Sequence, residues 1–315
     1  MNPLSALFGA AVRIRNELYD NGTLSTRRLE APVISIGNIT VGGSGKTPFL
    51  ILLGSLLKQR GVPFDVLSRG YGRKTQGVLL VDPQGEARDF GDEPLLIARK
   101  LGVPVIIGED RFLAGQYAEQ KFGPRLHLVD DGFQHRKLAR DFDIVLITAR
   151  DLRDSLLPGG RLREPMSSLA RADAIVLSDG ATNDKQPLGT KPLWRARRAI
   201  VLPDVAEACV AFCGIARPAQ FFEQLRAAHV PVVATRTFGD HHAYTETDVQ
   251  QLMALRQRHK ATAFITTEKD AVNLGARLDS LGPVRIASVH MELDDLDAAV
   301  DALLATIAKR TKRGP

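Results

Sequence analysis

Short apolar runs bounded by turn residues alternate with segments of helical periodicity along most of this chain. The runs Pro32 to Gly37, Phe64 to Ser68, Val103 to Ile107, Leu126 to Val129, Ile144 to Thr148 and Ala174 to Leu177 read as buried strands. Between them, Lys46 to Arg60, Glu93 to Leu101 and Arg111 to Lys121 place their apolar residues at helical spacing. Such alternation predicts an α/β fold: a mostly parallel sheet flanked by helices. Asp179 to Pro192, rich in Gly, Pro, Asn and Asp, reads as a loop or linker. A second series follows, with strands near Ala208 to Ile215, Val232 to Phe238, Ala263 to Thr266 and Val284 to Val289, and helices near Ala219 to Ala228, Glu246 to His259 and Asp294 to Ala308. The expected organisation is a larger domain over residues 1–205 and a smaller α/β domain over 206–315.

The N-terminal segment, about residues 2–19, sets Leu4, Leu7, Phe8, Ala11, Ile14 and Leu18 near one helical face, with Arg13, Arg15 and Glu17 elsewhere. This amphipathic helix has two readings. It packs on its own domain, or it lies in a membrane interface with its arginines near anionic headgroups. No apolar stretch approaches the ~20 residues that span a bilayer, and no secretory signal pattern precedes the first strand, so neither spanning nor export is expected.

Charge narrows the partners. The 42 Lys+Arg against 36 Asp+Glu leave +6, which favours nucleotides, phosphorylated substrates or an anionic membrane surface. Nucleic acid is not expected, because aromatic residues make up only 6% of the chain and none interleave with the arginines as in an RNA or DNA motif. Cys209 and Cys213 fall in one apolar run, where an extended chain holds them roughly 13 Å apart, too far for a mutual disulfide. They read as small buried hydrophobes.

The strongest chemical signal is Thr40-Val41-Gly42-Gly43-Ser44-Gly45-Lys46-Thr47, a glycine-rich turn between a strand and a helix. In a P-loop, glycines let backbone N–H groups point at phosphate oxygens, the lysine reaches the β- and γ-phosphates and the hydroxyl of the last residue faces Mg²⁺. This predicts an ATP site with Lys46 as the catalytic cation and Thr47 on the metal. Thr40 stands where the general motif has its first glycine. The strand Leu126 to Val129, read as a neighbour in the sheet, runs into Asp130-Asp131, either of which suits Mg²⁺ at the C-terminal edge of the sheet. Gln134 and His135 follow closely. Asp92 in Gly91-Asp92-Glu93-Pro94 reads, from local sequence alone, as a helix cap. Asp240-His241-His242 forms an ionisable loop whose adjacent histidines lack a third metal ligand nearby. Arg69, Arg73, Arg111 and Arg163 sit in loops after strands and suit phosphate recognition, together with Gln134 and His135.

Gly37-Asn38 and the Val41 to Pro48 loop, Ser68-Arg69-Gly70-Tyr71-Gly72, Gly91 to Pro94, Asp130 to His135, Phe212 to Ala216, Asp240 to His242 and Thr267-Glu268-Lys269-Asp270 together resemble the tetraacyldisaccharide 4'-kinase (lipid A 4'-kinase) family. Thr40 also matches that family. The resemblance implies transfer of the ATP γ-phosphate to the 4'-hydroxyl of tetraacyldisaccharide 1-phosphate, giving lipid IVA, by a peripheral protein on the cytoplasmic face of the inner membrane. It implies that Asp92 is the base that activates the sugar hydroxyl and that His241 assists it, the two being brought together from different domains. The rival reading from the residues alone is a P-loop NTPase used as a switch or delivery factor.

Overall fold

The computed structural model describes residues 3–178 and 191–312 of the protein. Residues 179–190, most of the expected linker, lie outside the described residues. The chain begins with α1 (Pro3–Asp20) and then builds β1 (Val33–Asn38), α2 (Lys46–Gln59), β2 (Phe64–Ser68), β3 (Leu79–Leu80), α3 (Ala87–Phe90), α4 (Asp92–Leu101), β4 (Val105–Ile107), α5 (Arg111–Phe122), β5 (Leu126–Asp130), β6 (Phe142–Thr148), β7 (Ala174–Ser178) and β8 (Leu193–Val201). The remainder forms β9 (Cys209–Cys213), α6 (Pro218–Ala227), β10 (Val232–Thr237), α7 (Glu246–Arg258), β11 (Ala263–Thr267), α8 (Glu268–Leu274), α9 (Arg277–Ser280), β12 (Val284–Leu293) and α10 (Leu296–Lys312).

All twelve described strands join one sheet in the order β10-β9-β11-β12-β8-β7-β6-β1-β5-β2-β4-β3. Only β3 with β4 and β8 with β12 pair antiparallel. Every residue of β1, β2, β5, β6 and β7 is buried, as expected where helices cover both faces. Ile34 and Ile36 pack with Leu50, Leu53 and Leu57 of α2 and with Leu303 of α10, while Val33, Leu67 and Val129 face Ala114 and Ala118 of α5. The second series repeats the plan. Cys209, Ala211 and Cys213 meet Phe221 and Leu225 of α6 on one face, and Val210 and Phe212 meet Val249 and Leu252 of α7 on the other. Both thiols are buried and unpaired, and burial pushes them up to about 11 and about 12, which makes them poor nucleophiles.

Strand β8 was not expected, because Arg195, Arg197 and Arg198 give it the composition of a surface loop. It pairs with β7 on one side and β12 on the other, so it joins the two strand series into one sheet. Trp194 anchors it, stacked on Phe142 with ring centroids 6.3 Å apart, and Arg197 reaches Asp294 at 3.1 Å.

Helix α1 buries Gly9, Val12 and Asn16 against the first series. Ser5 Oγ donates to the carbonyl of Leu156 at 2.9 Å, and Asn16 Nδ2 to the buried Glu164 at 3.0 Å. A polar, small-residue face therefore docks the helix, and its apolar face is left outward: Leu4, Leu7 and Ile14 are 61%, 70% and 57% exposed.

Candidate active site

β1 ends at Asn38, and the chain turns through the glycine-rich loop into α2. Gly42 and Gly45 take φ of 96° and 87°, the left-handed region where a side chain is strained. A Cβ on Gly45 would also stand 2.7 Å from Met291 Cε of β12. Above Gly42 and Gly43 a Cβ would meet nothing within 4 Å, so this part of the turn borders open space, while the Val41 amide before it donates to the Arg161 carbonyl at 2.9 Å. Thr40 is different. Its side chain is buried, its Oγ1 accepts from Asn38 Nδ2 at 3.2 Å, and its backbone bridges Leu162. The same Asn38 nitrogen donates to Ser44 Oγ at 2.7 Å. At this position the loop needs a hydrogen-bonding side chain and not glycine's freedom.

The end of β5 places Asp130 and Asp131 beside that loop, and the two differ. Asp131, at φ 51°, accepts both guanidinium nitrogens of Arg163 at 2.9 and 2.7 Å and lies 3.4 Å from Lys46 Nζ. Burial raises its pKa, but Lys46 and Arg163 outweigh burial and hold it well below the usual carboxylate range. Asp130 is 3% exposed. Its Oδ2 accepts from Ser68 Oγ at 3.1 Å, while its Oδ1 is buried with no partner. Burial, with Glu93 and Asp131 nearby, pushes its pKa up to about 7. Thr47 is also buried, in the first turn of α2. An orphaned carboxylate oxygen at the end of a strand next to this glycine-rich loop fits a divalent cation ligand better than a carboxylate held in a bidentate ion pair.

Asp92 is the first residue of α4 and does not cap it; Gly91 occupies the cap position at φ 88°, where a Cβ would meet the carbonyl oxygen of Tyr71 at 2.9 Å. The Asp92 carboxylate is 4% exposed and stands 2.8 and 3.0 Å from Nδ1 of His241. Asn273 Nδ2 donates to it at 3.1 Å and the Glu93 amide at 2.8 Å. Burial raises the Asp92 pKa, yet the bond to His241 and the charge of Lys269 bring it below its ordinary value. His241 is raised in turn, chiefly by that bond. The contact between the two series is therefore already made. His242 takes no part in it; its ring stacks on Phe238 and bonds Asp248 at 3.1 Å. Among the described residues, no three His, Cys, Asp or Glu gather as a metal cluster.

Several of the expected substrate contacts are engaged internally. Arg73 is almost wholly buried and donates to the carbonyl of Gly77 and to Glu109, each at 2.7 Å. Arg111 is buried against the carbonyls of Gly108 and Glu109, both at 3.2 Å. Gln134 donates to the Asn38 carbonyl at 2.9 Å and to Glu164 at 3.0 Å. Arg163 holds Asp131 and Asn38. Only Arg69 is exposed. His135 keeps a buried, unpartnered Nε2, and burial together with Arg111 pushes its pKa down to about 4. Residue-level reading missed Glu93, Lys269 and Asn273. The charges of Glu93 and Lys269 were visible in sequence, but their partners lie 176 residues apart in the chain.

The tetraacyldisaccharide-1-P 4'-kinase family model matches residues 1–308. The tetraacyldisaccharide 4'-kinase of Koribacter versatilis is 48% identical over 98% of this chain and 99% of its own length. That of Aquifex aeolicus is 37% identical over 86% and 88%. The crystal structure of Aquifex aeolicus LpxK in complex with ATP superposes with a TM-score of 0.79 at 33% identity, covering 97% of this chain and 98% of that one.

Proposed function

Because the chain belongs to the tetraacyldisaccharide-1-P 4'-kinase family, it is a kinase, and we propose that it moves the γ-phosphate of ATP to the 4'-hydroxyl of tetraacyldisaccharide 1-phosphate. The observation that carries the residue assignment is the buried Asp92–His241 pair, which shares the sheet's C-terminal edge with the P-loop. Family membership sets aside the switch-like NTPase that the residues alone admitted.

The turn from Gly42 to Gly45 binds phosphate through its backbone, the Val41 amide being taken by the Arg161 carbonyl, and Lys46, held by Asp131, reaches the transferred group. Thr47 and Asp130 would hold Mg²⁺, which when bound neutralises charge on the β- and γ-phosphate oxygens. Asp131 orients Lys46 and Arg163 and does not meet the metal. Asp92 accepts the sugar hydroxyl proton, and His241 fixes the rotation of its carboxylate and stabilises its charge. Arg69, the exposed arginine of the group, meets a substrate phosphate; Arg73, Arg111, Gln134 and Arg163 shape the walls. A second reading is favoured by burial. Asp92 is 4% exposed whereas the His241 side chain is 24% exposed, so His241 Nε2 would take the proton with Asp92 orienting the ring. His241→Gln then distinguishes them: partial activity assigns Asp92 as the base, and a loss as deep as that of Asp92→Asn assigns His241.

The membrane reading rests on α1. Its docked face carries Gly9, Val12 and Asn16, and Leu4, Leu7 and Ile14 form an exposed apolar strip beside Arg13. No helix among the described residues is long and apolar enough to cross a membrane. The helix then lies in the cytoplasmic interface of the inner membrane, where the acyl chains of the acceptor are embedded. Replacing Leu4, Leu7 and Ile14 together with serine is expected to weaken binding to vesicles containing anionic lipid at least about tenfold, read by co-sedimentation, with no fall in melting temperature.

The deciding assay follows labelled γ-phosphate from Mg·ATP into tetraacyldisaccharide 1-phosphate in detergent micelles. Labelled lipid from the wild type and little from Lys46→Ala or Asp92→Ala supports the assignment. ATP hydrolysis without labelled lipid overturns it.

A further inference from the structure

The segment Thr267 to Leu274 does two jobs with two sets of side chains. Thr267 caps α8, accepting from the Asp270 amide at 3.3 Å, and donates to its carboxylate at 2.6 Å. Asp270 is fully buried and accepts the Tyr244 hydroxyl and the Gly214 amide, each at 2.7 Å. The His241 amide bonds the Gly214 carbonyl at 3.2 Å. The end of β9, the histidine loop and the start of α8 therefore form one hydrogen-bonded unit. Four residues apart, and so on one face of the helix, Lys269 and Asn273 reach the other way, onto α4. Lys269 Nζ lies 2.7 Å from Glu93 Oε1, and Asn273 Nδ2 donates to Asp92 Oδ2 at 3.1 Å. Lys100 of α4 closes the outer side on Glu268.

We propose that Asn273 and Lys269 are positioning residues for the proton transfer: Asn273 fixes the rotation of the Asp92 carboxylate, and Lys269 supplies the positive charge that keeps it ionised while buried. The inference rests on the reading of Asp92 and His241 as the proton-handling pair. A carboxylate offers about four lone-pair directions. At Asp92 the Glu93 amide takes Oδ1, Asn273 takes Oδ2 and His241 Nδ1 bridges both, so all four directions are engaged and the plane of the group is set; a hydroxyl enters by sharing the Oδ1 side, where the His241 contact is the longer of its two at 3.0 Å. Without Asn273 the Oδ2 side is free to turn toward His241. The charged groups facing Asp92 are His241 from the loop after β10, with Asp240 3.9 Å from its Nε2, Lys269 from α8, and Glu93 from its own helix. Lys269 is the only lysine or arginine among them. Without it Asp92 and Glu93 would be two neighbouring carboxylates facing one imidazole, and the proton affinity of Asp92 would rise.

The test is steady-state kinetics against pH for Asn273→Ala, Lys269→Met and Lys269→Arg, with Asn273→Ala repeated in an Asp92→Asn background. Asn273→Ala is expected to lower kcat about tenfold, with KM for ATP and lipid, the Kd of a non-hydrolysable ATP analogue and the melting temperature unchanged. Lys269→Met moves the acid limb of the kcat profile to higher pH by about one pH unit, and Lys269→Arg restores it. In the Asp92→Asn background Asn273→Ala costs nothing more. Equal losses in both backgrounds, or a wild-type kcat and an unshifted acid limb beside an inactive Asp92→Asn, overturn the proposal and leave the base assignment standing. Full activity in Asp92→Asn overturns both.

Discussion

At the N-terminal edge of the parallel strands, carboxylates are matched. Asp141, just ahead of β6, accepts from the Val33 amide at 2.9 Å and from Arg28 at 2.8 Å. Asp143 takes Arg140 at 3.1 Å, and Asp173 takes the Asp143 amide at 2.8 Å and Arg310 at 2.7 Å. Asp65 and His127, both fully buried on neighbouring strands β2 and β5, stand 2.7 Å apart with Glu119 at 3.4 Å on the far ring nitrogen. At the opposite edge, three residues beyond His127 along β5, Asp130 keeps a buried oxygen with no partner, and Asp131 next to it is tied to cations that a phosphate would compete for. At one edge each carboxylate meets a cation, an imidazole or an amide within the protein, although Asp65 Oδ2 is itself buried without a partner; at the other, Asp130 has a single hydroxyl partner and lies beside the glycine-rich loop. Buried groups that are incompletely satisfied mark where a fold has given up stability for chemistry.

The largest effect that sharpens this contrast is expected at Asp130. Asp130→Asn removes a buried charge and should cut turnover at least about a thousandfold, while the melting temperature stays level or rises because an unpaired carboxylate is no longer desolvated. A drop in melting temperature with activity retained would erase the distinction between the edges. The reverse is expected at His127. His127→Ala leaves Asp65 buried and uncompensated, and should cost about 3 kcal/mol by urea denaturation with kcat unchanged where the variant is folded.

A smaller effect concerns pH. Burial lowers the His127 pKa, but the bonds to Asp65 and Glu119 outweigh it and raise it above the ordinary value of 6.5. A raised imidazole contributes stability that is complete below the unfolded pKa and is lost as pH rises through the folded one. Unfolding free energy should therefore decline on the alkaline side of 6.5, and His127→Gln should flatten that decline by about 1 kcal/mol. Asp65 is itself raised by burial, in spite of His127, so it adds no opposing gain in that window.

Much of the phosphate edge was legible before any coordinates. Strand, glycine turn and helix are contiguous in sequence, and the Asp130-Asp131 pair sits where its strand ends. What local sequence could not supply was how groups distant in the chain pair up. The residues alone read Asp92 as a cap, and only the structure shows it buried against a partner 149 residues away. Asp130 and Asp131 differ through Ser68 on the one and Lys46 and Arg163 on the other, which approach from separate elements. Arg73 has the composition of a ligand contact, yet its buried guanidinium braces the loop that holds Glu109. Strand β8 was missed because its arginines satisfy surface statistics while its backbone satisfies the seam between β7 and β12.

The smallest effect tests whether every residue of the open edge belongs to it. Thr40 lies in the glycine-rich loop, yet its hydroxyl and its backbone are turned inward, onto Asn38 and Leu162. The neighbouring Val41 amide bonds the Arg161 carbonyl at 2.9 Å, and the Arg163 amide bonds Ile39 at 2.7 Å, so this end of the loop is pinned as a short ladder. By that geometry Thr40 belongs with the closed edge. Thr40→Gly would restore the general P-loop pattern, but it removes a buried hydrogen bond and adds chain freedom. It should therefore cost about 1 kcal/mol of stability in thermal denaturation and leave KM for ATP within about threefold. A large rise in KM for ATP with stability intact would instead place the Thr40 hydroxyl among the groups that meet phosphate, and the boundary between the two regimes would have to move inward by one residue.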